Sequence, residues 1–88
     1  MKIKKGFIVR KIGGQNVAVA IGEASKTFNG MIKLNDTGRI IWDMLSEGKS
    51  ESDIVGRFVS EYDVDEASAQ KDVSAFVEAL RGADILEQ

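Results

Sequence analysis

One stretch decides the fold: residues 28 to 45 read Phe-Asn-Gly-Met-Ile-Lys-Leu-Asn-Asp-Thr-Gly-Arg-Ile-Ile-Trp-Asp-Met-Leu. Its first seven residues predict a strand that ends at Leu34. Asn35 and Asp36 then supply the side-chain oxygens that cap helix N-termini, and apolar residues recur at helical spacing from Ile40 onward. Because no linker separates the two elements, the strand and the helix must pack against each other.

Two further strands are predicted upstream of this stretch. Residues 7–12 are rich in β-forming side chains, residues 13–16 (Gly-Gly-Gln-Asn) supply a turn, and residues 17–21 return as the second strand. Residues 22–27 are expected to form a loop leading to the third strand, residues 28–34. The bulkier side chains of the second strand occupy odd positions and are expected to face the core: Val17, Val19 and Ile21.

Three helices are predicted downstream. The first covers residues 36–46 and ends before Gly48, and Ser50 with Asp53 predicts a capped start for the second. Asp63 or Asp65 caps the third, which Gly82 ends. The expected buried faces are Ile54, Val55, Phe58 and Val59 on the second helix and Ala69, Val73, Phe76, Val77 and Leu80 on the third, after which Ile85 and Leu86 fold back onto the body.

Three short strands followed by three helices indicate an α+β fold. The hairpin, with two short helices before a longer third, suggests a winged helix-turn-helix. No linker or repeat divides the sequence, so residues 1–88 are expected to form one domain. Its longest apolar run, Val17 to Ile21, is far too short to span a bilayer, and no signal peptide is apparent, so a cytoplasmic protein without membrane association is expected.

Composition argues against an enzyme. The chain has no cysteine and no histidine, which removes thiolate chemistry, the commonest general base and the commonest zinc ligands. The remaining carboxylates, serines and lysines form no motif with a base and an orienting group. Asp63, Asp65 and Glu66 lie close together, but helix capping explains them, so no catalytic residue, metal or cofactor is predicted.

Nucleic-acid binding is the main alternative, since winged helices often read DNA with the last helix of the turn motif. The charge is uneven: residues 1–49 carry nine Lys/Arg and four Asp/Glu, a net +5, whereas residues 50–88 carry three and ten, a net −7. The polar residues of the third helix are mostly acidic, and phosphates would repel them. We therefore predict no nucleic-acid partner and keep a nucleic-acid-binding or regulatory winged helix as the alternative.

Peptide binding accounts for more of the sequence. The third strand leaves a free sheet edge, and an exposed edge accepts a guest strand. Helix three carries small side chains at helical spacing that would form a shallow groove beside it: Ser68, Asp72, Ala75 and Ala79. The alanines are equally consistent with a plain solvent-exposed helix face, because alanine is a good helix former.

In order and spacing, the chain from Phe7 to Leu86 resembles the PqqD family. The resemblance is carried by Leu34-Asn35-Asp36-Thr37-Gly38 with Ile41-Trp42 soon after, and by Tyr62-Asp63-Val64-Asp65 before Asp72-Val73-Ser74-Ala75-Phe76. It implies a winged helix-turn-helix that binds, without catalysis, the leader segment of a ribosomally synthesised precursor peptide. The leader would pair with the third strand, pack on the third helix and be presented to a radical-SAM enzyme, a cyclase or a leader peptidase.

By position, the resemblance also implies the binding residues. These are Gly30, Met31, Ile32, Lys33 and Leu34 on the strand and Lys71, Asp72, Ala75, Phe76 and Ala79 on the helix. Many relatives have aromatic residues where this chain has Gly30 and Met31, so its side-chain preferences differ. Lys33 and Lys71 are predicted to select acidic leader residues. An unpaired third strand can also pair with a second copy, so a homodimer through this strand is an alternative use of the edge.

Overall fold

The computed structural model of the chain describes residues 2–27 and 30–87. The elements are β1 (Lys2–Ile3), β2 (Phe7–Ile12), β3 (Gln15–Ala20), α1 (Ala24–Thr27), β4 (Met31–Leu34), α2 (Asp36–Ser46), α3 (Glu51–Glu61), α4 (Glu66–Gly82) and β5 (Leu86–Glu87). The predicted α+β class is confirmed: strands β2, β3 and β4 form a three-stranded antiparallel sheet, and helices α2, α3 and α4 follow it. Of the predicted third strand, Phe28 and Asn29 lie outside the described residues.

The hairpin between β2 and β3 is tighter than predicted. Gly13 and Gly14 both adopt left-handed backbone angles, with φ of 57° and 80°, as a two-residue turn between right-twisted strands requires. Gln15 pairs with Ile12, so Gln15 and Asn16 belong to β3 and not to the turn. The predicted loop over residues 22–27 contains the short helix α1.

The prediction of which β3 side chains face the core was only partly right. Val17 is buried, with 3% exposure, but lies outside the main core cluster, and Ile21 is exposed, whereas the even position Ala18 is fully buried in that cluster. Because side chains alternate along a strand, the odd positions lie on the sheet face turned away from the helices. The helices supply the bulk of the core, so small alanine side chains fit on the inner face of β3.

Helices α2 and α3 begin at the predicted caps. The Asn35 side-chain oxygen accepts a hydrogen bond of 2.7 Å from the Gly38 N–H. At α3, the Asp53 N–H donates to the Ser50 hydroxyl and the Ser50 N–H donates to the Asp53 carboxylate, each over 3.1 Å. These bonds satisfy N–H groups that would otherwise lack a partner inside the helix.

Asp65, and not Asp63, caps α4. Its carboxylate accepts a bond of 2.7 Å from the Ser68 N–H. The helix ends at Gly82 as predicted, but the left-handed residue that closes it is Asp84, with φ of 60°. The carboxylate of Asp84 lies 2.8 Å from the Lys4 ammonium, so the end of α4 is tied to the N-terminal segment.

The core lies between the sheet and the three long helices. Val59 was predicted to be buried but is 39% exposed, because it lies about 100° around the helix from Phe58 and turns away from α4. The largest fully buried side chains are Ile41, Leu45, Ile54, Val73, Val77, Ile85 and Leu86. The buried positions of Ile85 and Leu86 confirm that the C-terminal segment folds back onto the body.

The termini meet in a two-stranded sheet that the sequence did not predict. Strands β1 and β5 pair antiparallel, with Lys2 opposite Glu87 and Ile3 opposite Leu86. Ile3 packs against the core. The pairing closes the core beside α2. None of the helices in the described part of the chain is long and apolar enough to cross a membrane.

Candidate functional site

Strand β4 is one edge of the three-stranded sheet. On one side it pairs with β3, placing Ile32 opposite Ala18 and Lys33 opposite Val17. On the other side, no strand among residues 2–27 and 30–87 pairs with it. Met31, next to this edge, is 60% exposed. The edge therefore has the geometry that accepts an additional strand.

Gly38, in the first turn of α2, lies close to both Leu34 at the end of β4 and Phe76 of α4. A Cβ atom added at Gly38 would lie 3.1 Å from Cε2 of Phe76, 3.1 Å from the Asn35 side-chain oxygen and 3.8 Å from Cδ2 of Leu34. A side chain at this position would push α2 and the Phe76 ring apart. Glycine thus permits the close approach that brings the exit of β4 to the side of α4.

A groove of about 450 Å³ opens between α2 and α4 at this contact. A second depression connects Lys33 and Leu34 with the β2–β3 hairpin, and the two share Asn35. A path from the end of β4, over the strand-to-helix junction, to α4 is therefore lined by two adjoining depressions. The groove is lined by Asn35, Thr37, Gly38, Ile41, Asp72, Ala75 and Phe76.

The structure brings together some of the predicted site residues and not others. Asp72, Ala75 and Phe76 line one groove, and Lys33 and Leu34 line the adjoining depression. The exposed Ala79 follows Ala75 by four residues and so continues the same helix face. The exposed Lys71 precedes Ala75 by four residues and so lies on the same helix face, but it does not line the groove itself.

The β4 residues nearest its start are placed differently. Ile32 packs against the core and offers a guest strand only its backbone. Gly30 and Met31 line neither the groove nor the depression beside Lys33. Phe76 is half-buried and packs against the core as well as lining the groove, so it has a structural role besides any contact with a ligand.

Sequence reasoning missed the groove residues contributed by α2. Asn35 was interpreted as a cap, and Asn35, Thr37, Gly38 and Ile41 as part of a family motif, but none of them was predicted to line a groove. The signal was available: a glycine near the start of a helix, directly after a strand, marks a close approach. The partner of that approach, Phe76, follows Gly38 by 38 positions, so local spacing alone does not reveal it.

Polar contacts hold the hairpin to α2 beside the path. The Arg39 guanidinium donates to the Asn16 side-chain oxygen and, through Nε, to both carboxylate oxygens of Asp43, each over 3.0 Å.

Hydrogen bonds from the Ser68 N–H and hydroxyl lower the pKa of Asp65, and bonds from the Ser50 backbone and side chain lower the pKa of Asp53. Asp65 is the N-cap of α4 and Asp53 completes the capping box of α3, and neither lines the groove.

No group of three or more His, Cys, Asp or Glu side chains among the described residues is placed to hold a metal ion. The features of the groove are instead a sheet edge, a shallow apolar floor and single charged side chains at its margins. Such a surface suits an extended peptide: backbone pairing along the edge gives affinity, and side-chain pockets give specificity.

Two solved structures share the fold. TbiB1 in complex with the TbiA(beta) leader peptide matches with a TM-score of 0.78 and 29% identity over 99% of this chain and 95% of that chain. Lasso peptide synthetase B1 complexed with the leader peptide matches with a TM-score of 0.73 and 25% identity, over 92% and 89% of the two chains. No curated protein matches the sequence. A family model described as coenzyme PQQ synthesis protein D matches residues 10–86, and the chain belongs to this PqqD family.

Proposed function

We propose that this protein binds the leader segment of a ribosomally synthesised precursor peptide. The leader adds a strand to the free edge of β4 and places side chains in the groove between α2 and α4. The observation that carries the proposal is the position of that edge, which opens onto the groove through the junction at Gly38. The two similar structures, both complexes with a leader peptide, support it.

The binding residues are those that the PqqD resemblance implied. Lys33 and Leu34 contact the leader beside the sheet edge, and Asp72, Ala75 and Phe76 contact it in the groove. Gly30, Met31 and Ile32 contribute mainly backbone, while Ala79 extends the groove and Lys71 contacts the leader from its outer margin. A leader segment of about ten residues is expected to bind with a Kd of about 1 μM, or about −8 kcal/mol.

The protein acts as a carrier without catalysing a reaction itself. It presents the core segment of the precursor to a modifying enzyme such as a radical-SAM enzyme, a cyclase or a leader peptidase, and it works in the cytoplasm as one domain. The β4 edge is free for a leader in the monomer, and a homodimer through β4 would compete with the leader for the same backbone groups.

Nucleic-acid binding has less support. Residues 61–72, around the start of α4, carry five acidic side chains and one lysine, and a phosphate backbone would be repelled there. Arg81, near the end of α4, makes an ion pair with Glu78.

The direct test is an NMR titration of the isotope-labelled protein with synthetic leader segments of the short reading frames that neighbour its gene. We expect amide shift changes confined to residues 30–38 and 72–79, with a Kd near 1 μM. A scrambled peptide of the same composition is the control. Shifts with duplex DNA and none with any leader would overturn the proposal in favour of nucleic-acid binding.

A further inference from the structure

A second, deeper pocket adjoins the α2–α4 groove. It has a volume of about 280 Å³ and lies between α2, α3 and α4. It shares Thr37 and Asp72 with the groove, so a ligand in the groove passes its mouth. We call it the Tyr62 pocket; its lining residues are Asp36, Thr37, Ile40, Phe58, Tyr62, Val64, Ala69 and Asp72.

The lining of the Tyr62 pocket combines two chemistries. Its walls are apolar and aromatic, with the Phe58 and Tyr62 rings tilted against each other at a centroid distance of 5.4 Å. Its charged members are the carboxylates of Asp36 and Asp72, and no basic side chain lines it. An apolar tube with carboxylates at its rim suits a side chain that has an apolar stem and a cationic end.

The two carboxylates stand apart from most acids of the helices. Asp43, Glu61 and Glu78 each form an ion pair with an arginine of their own helix. Within the described residues, Asp36 and Asp72 form no hydrogen bond or ion pair through their carboxylates. Asp36 is partly stabilised by the positive end of α2, but Asp72 lies in the middle of α4, where the helix offers no such compensation.

The surroundings strengthen the negative potential at the pocket. Residues 61–72, which run past Tyr62 and Val64 into α4, carry five acidic side chains and one lysine. Of these acids, Asp65 is committed to capping α4 and Glu61 to Arg57. A cation beside Asp72 thus gains from the whole segment as well as from its direct partner.

We propose that the Tyr62 pocket binds a lysine or arginine side chain of the bound leader. The aliphatic stem lies against Ile40, Phe58 and Val64, and the cationic group reaches Asp36 and Asp72 at the rim. This inference rests on the proposed leader binding. It predicts where charged residues lie along the bound leader: an acidic residue near Lys33 at the β4 end of the path, and a basic residue at the α4 end.

The test is a display selection of random 14-residue peptides on the 88-residue protein, followed by NMR mapping of the enriched peptides. We expect peptides that shift β4 and α4 and that carry Lys or Arg at one fixed position. Replacing that residue with Gln should weaken binding to the natural protein about 10-fold, but only about 3-fold to the Asp72→Asn variant, because that variant has already lost one of the two carboxylate partners.

Glu47→Gln is the matched control, since it also removes one exposed carboxylate that has no partner in the described structure but lies at the far end of α2. It should retain the full 10-fold preference for the basic residue. An equal loss of the preference for the basic residue in Asp72→Asn and Glu47→Gln would overturn the pocket assignment while leaving leader binding in place. Enriched peptides without a fixed basic position would do the same. Enrichment of no peptide on the β4 edge would overturn the proposed function, and the pocket assignment with it.

Discussion

The two edges of the three-stranded sheet are alike in their backbones and different in their neighbours. Arg10 on β2 and Lys33 on β4 lie at the same level, since both are paired with Val17 of β3. Beyond β4 the chain turns at once into α2, whose first turn touches α4. Beyond β2 it turns through two exposed glycines into β3, and no residue of β2 lines the α2–α4 groove.

This difference indicates what makes an edge into a binding site. Unpaired backbone groups are the same on any edge strand and carry no sequence preference. Preference requires side chains within reach of the guest strand, and in the described part of the chain the α2–α4 groove lies at the end of β4 and not beside β2. We therefore expect the helices to determine which edge binds the leader, so changes on the β4 side should affect peptide binding where matched changes elsewhere do not.

The largest effect is expected from filling the groove. Ala75→Arg places a long, charged side chain over the groove floor, so leader affinity should fall at least 100-fold, or about 2.7 kcal/mol. Ala75 is exposed on α4, so the fold should be retained. Isothermal titration calorimetry with a leader that binds the natural protein measures the change, and circular dichroism checks the helix content.

Ala67→Arg is the matched control for this variant. Ala67 is exposed on the same helix but lies about 80° around it from Ala75, on the side away from Gly38. It should leave leader affinity within about 2-fold. Similar losses in the two variants would mean that the groove is elsewhere or that added positive charge alone explains the effect.

A moderate effect is expected from reversing one charge on each edge. Lys33→Glu should weaken a leader rich in Asp and Glu about 5- to 10-fold, because it puts like charges together beside the paired strand. Arg10→Glu changes the net charge by the same amount at the same level of the sheet. Arg10 lies about 10 Å from Lys33, two strand spacings, where salt screens much of the interaction with the leader. Arg10→Glu should therefore lower leader affinity less than 2-fold.

The comparison is best made at two salt concentrations. The Lys33→Glu effect should shrink between 50 and 300 mM NaCl, and the difference between the two variants should shrink with it. If both variants lose affinity equally, the peptide senses the overall charge of the basic half and is not read at β4.

The fold was largely predictable because its signals are local. The caps and the glycine turn act over two to four residues. Asn35 and Ser50 begin their helices as expected, Asp65 is one of the two caps considered for α4, and the turn is formed by Gly13 and Gly14 within the predicted residues 13–16. The face of β3 was not predictable in this way. Whether Val17 or Ala18 points inward depends on how much of the core the distant helices fill.

The site was predictable only as far as one strand and one helix face. Lys33 and Ala75 follow from periodicity and from the PqqD resemblance. The contact of Gly38 with Phe76, and the pocket beside Tyr62, exist only once three helices are packed together. Asp36 and Asp72 are 36 positions apart in the sequence, so no motif search would pair them.

A smaller effect, on stability, is expected when each of two glycines in the helices is replaced by alanine. An added Cβ at Gly56 of α3 meets nothing within 4 Å, so Gly56→Ala should raise the free energy of unfolding by about 0.5–1 kcal/mol through helix propensity. Gly38→Ala gains the same propensity but must displace the Phe76 ring or the Asn35 cap, so no net gain is expected. Urea denaturation of both variants measures the difference, and equal stabilisation would show that α2 and α4 have room to separate.

The smallest expected effect is a loss of stability at low pH. It should differ between α2, which follows β4 directly, and the helices α3 and α4. The folded-state pKa values of Asp53 and Asp65 are lowered by their capping bonds, so their stabilisation is present above the unfolded-state pKa of about 3.9 and is lost as pH falls through the lower folded-state values. The cap of α2 is Asn35, which does not titrate. Hydrogen exchange by NMR should therefore show α3 and α4 loosening below about pH 4 before the first turn of α2 does. Asp65→Asn keeps an acceptor for the Ser68 N–H but removes the titration, so it should flatten the pH dependence at the start of α4 and leave that of α3 unchanged.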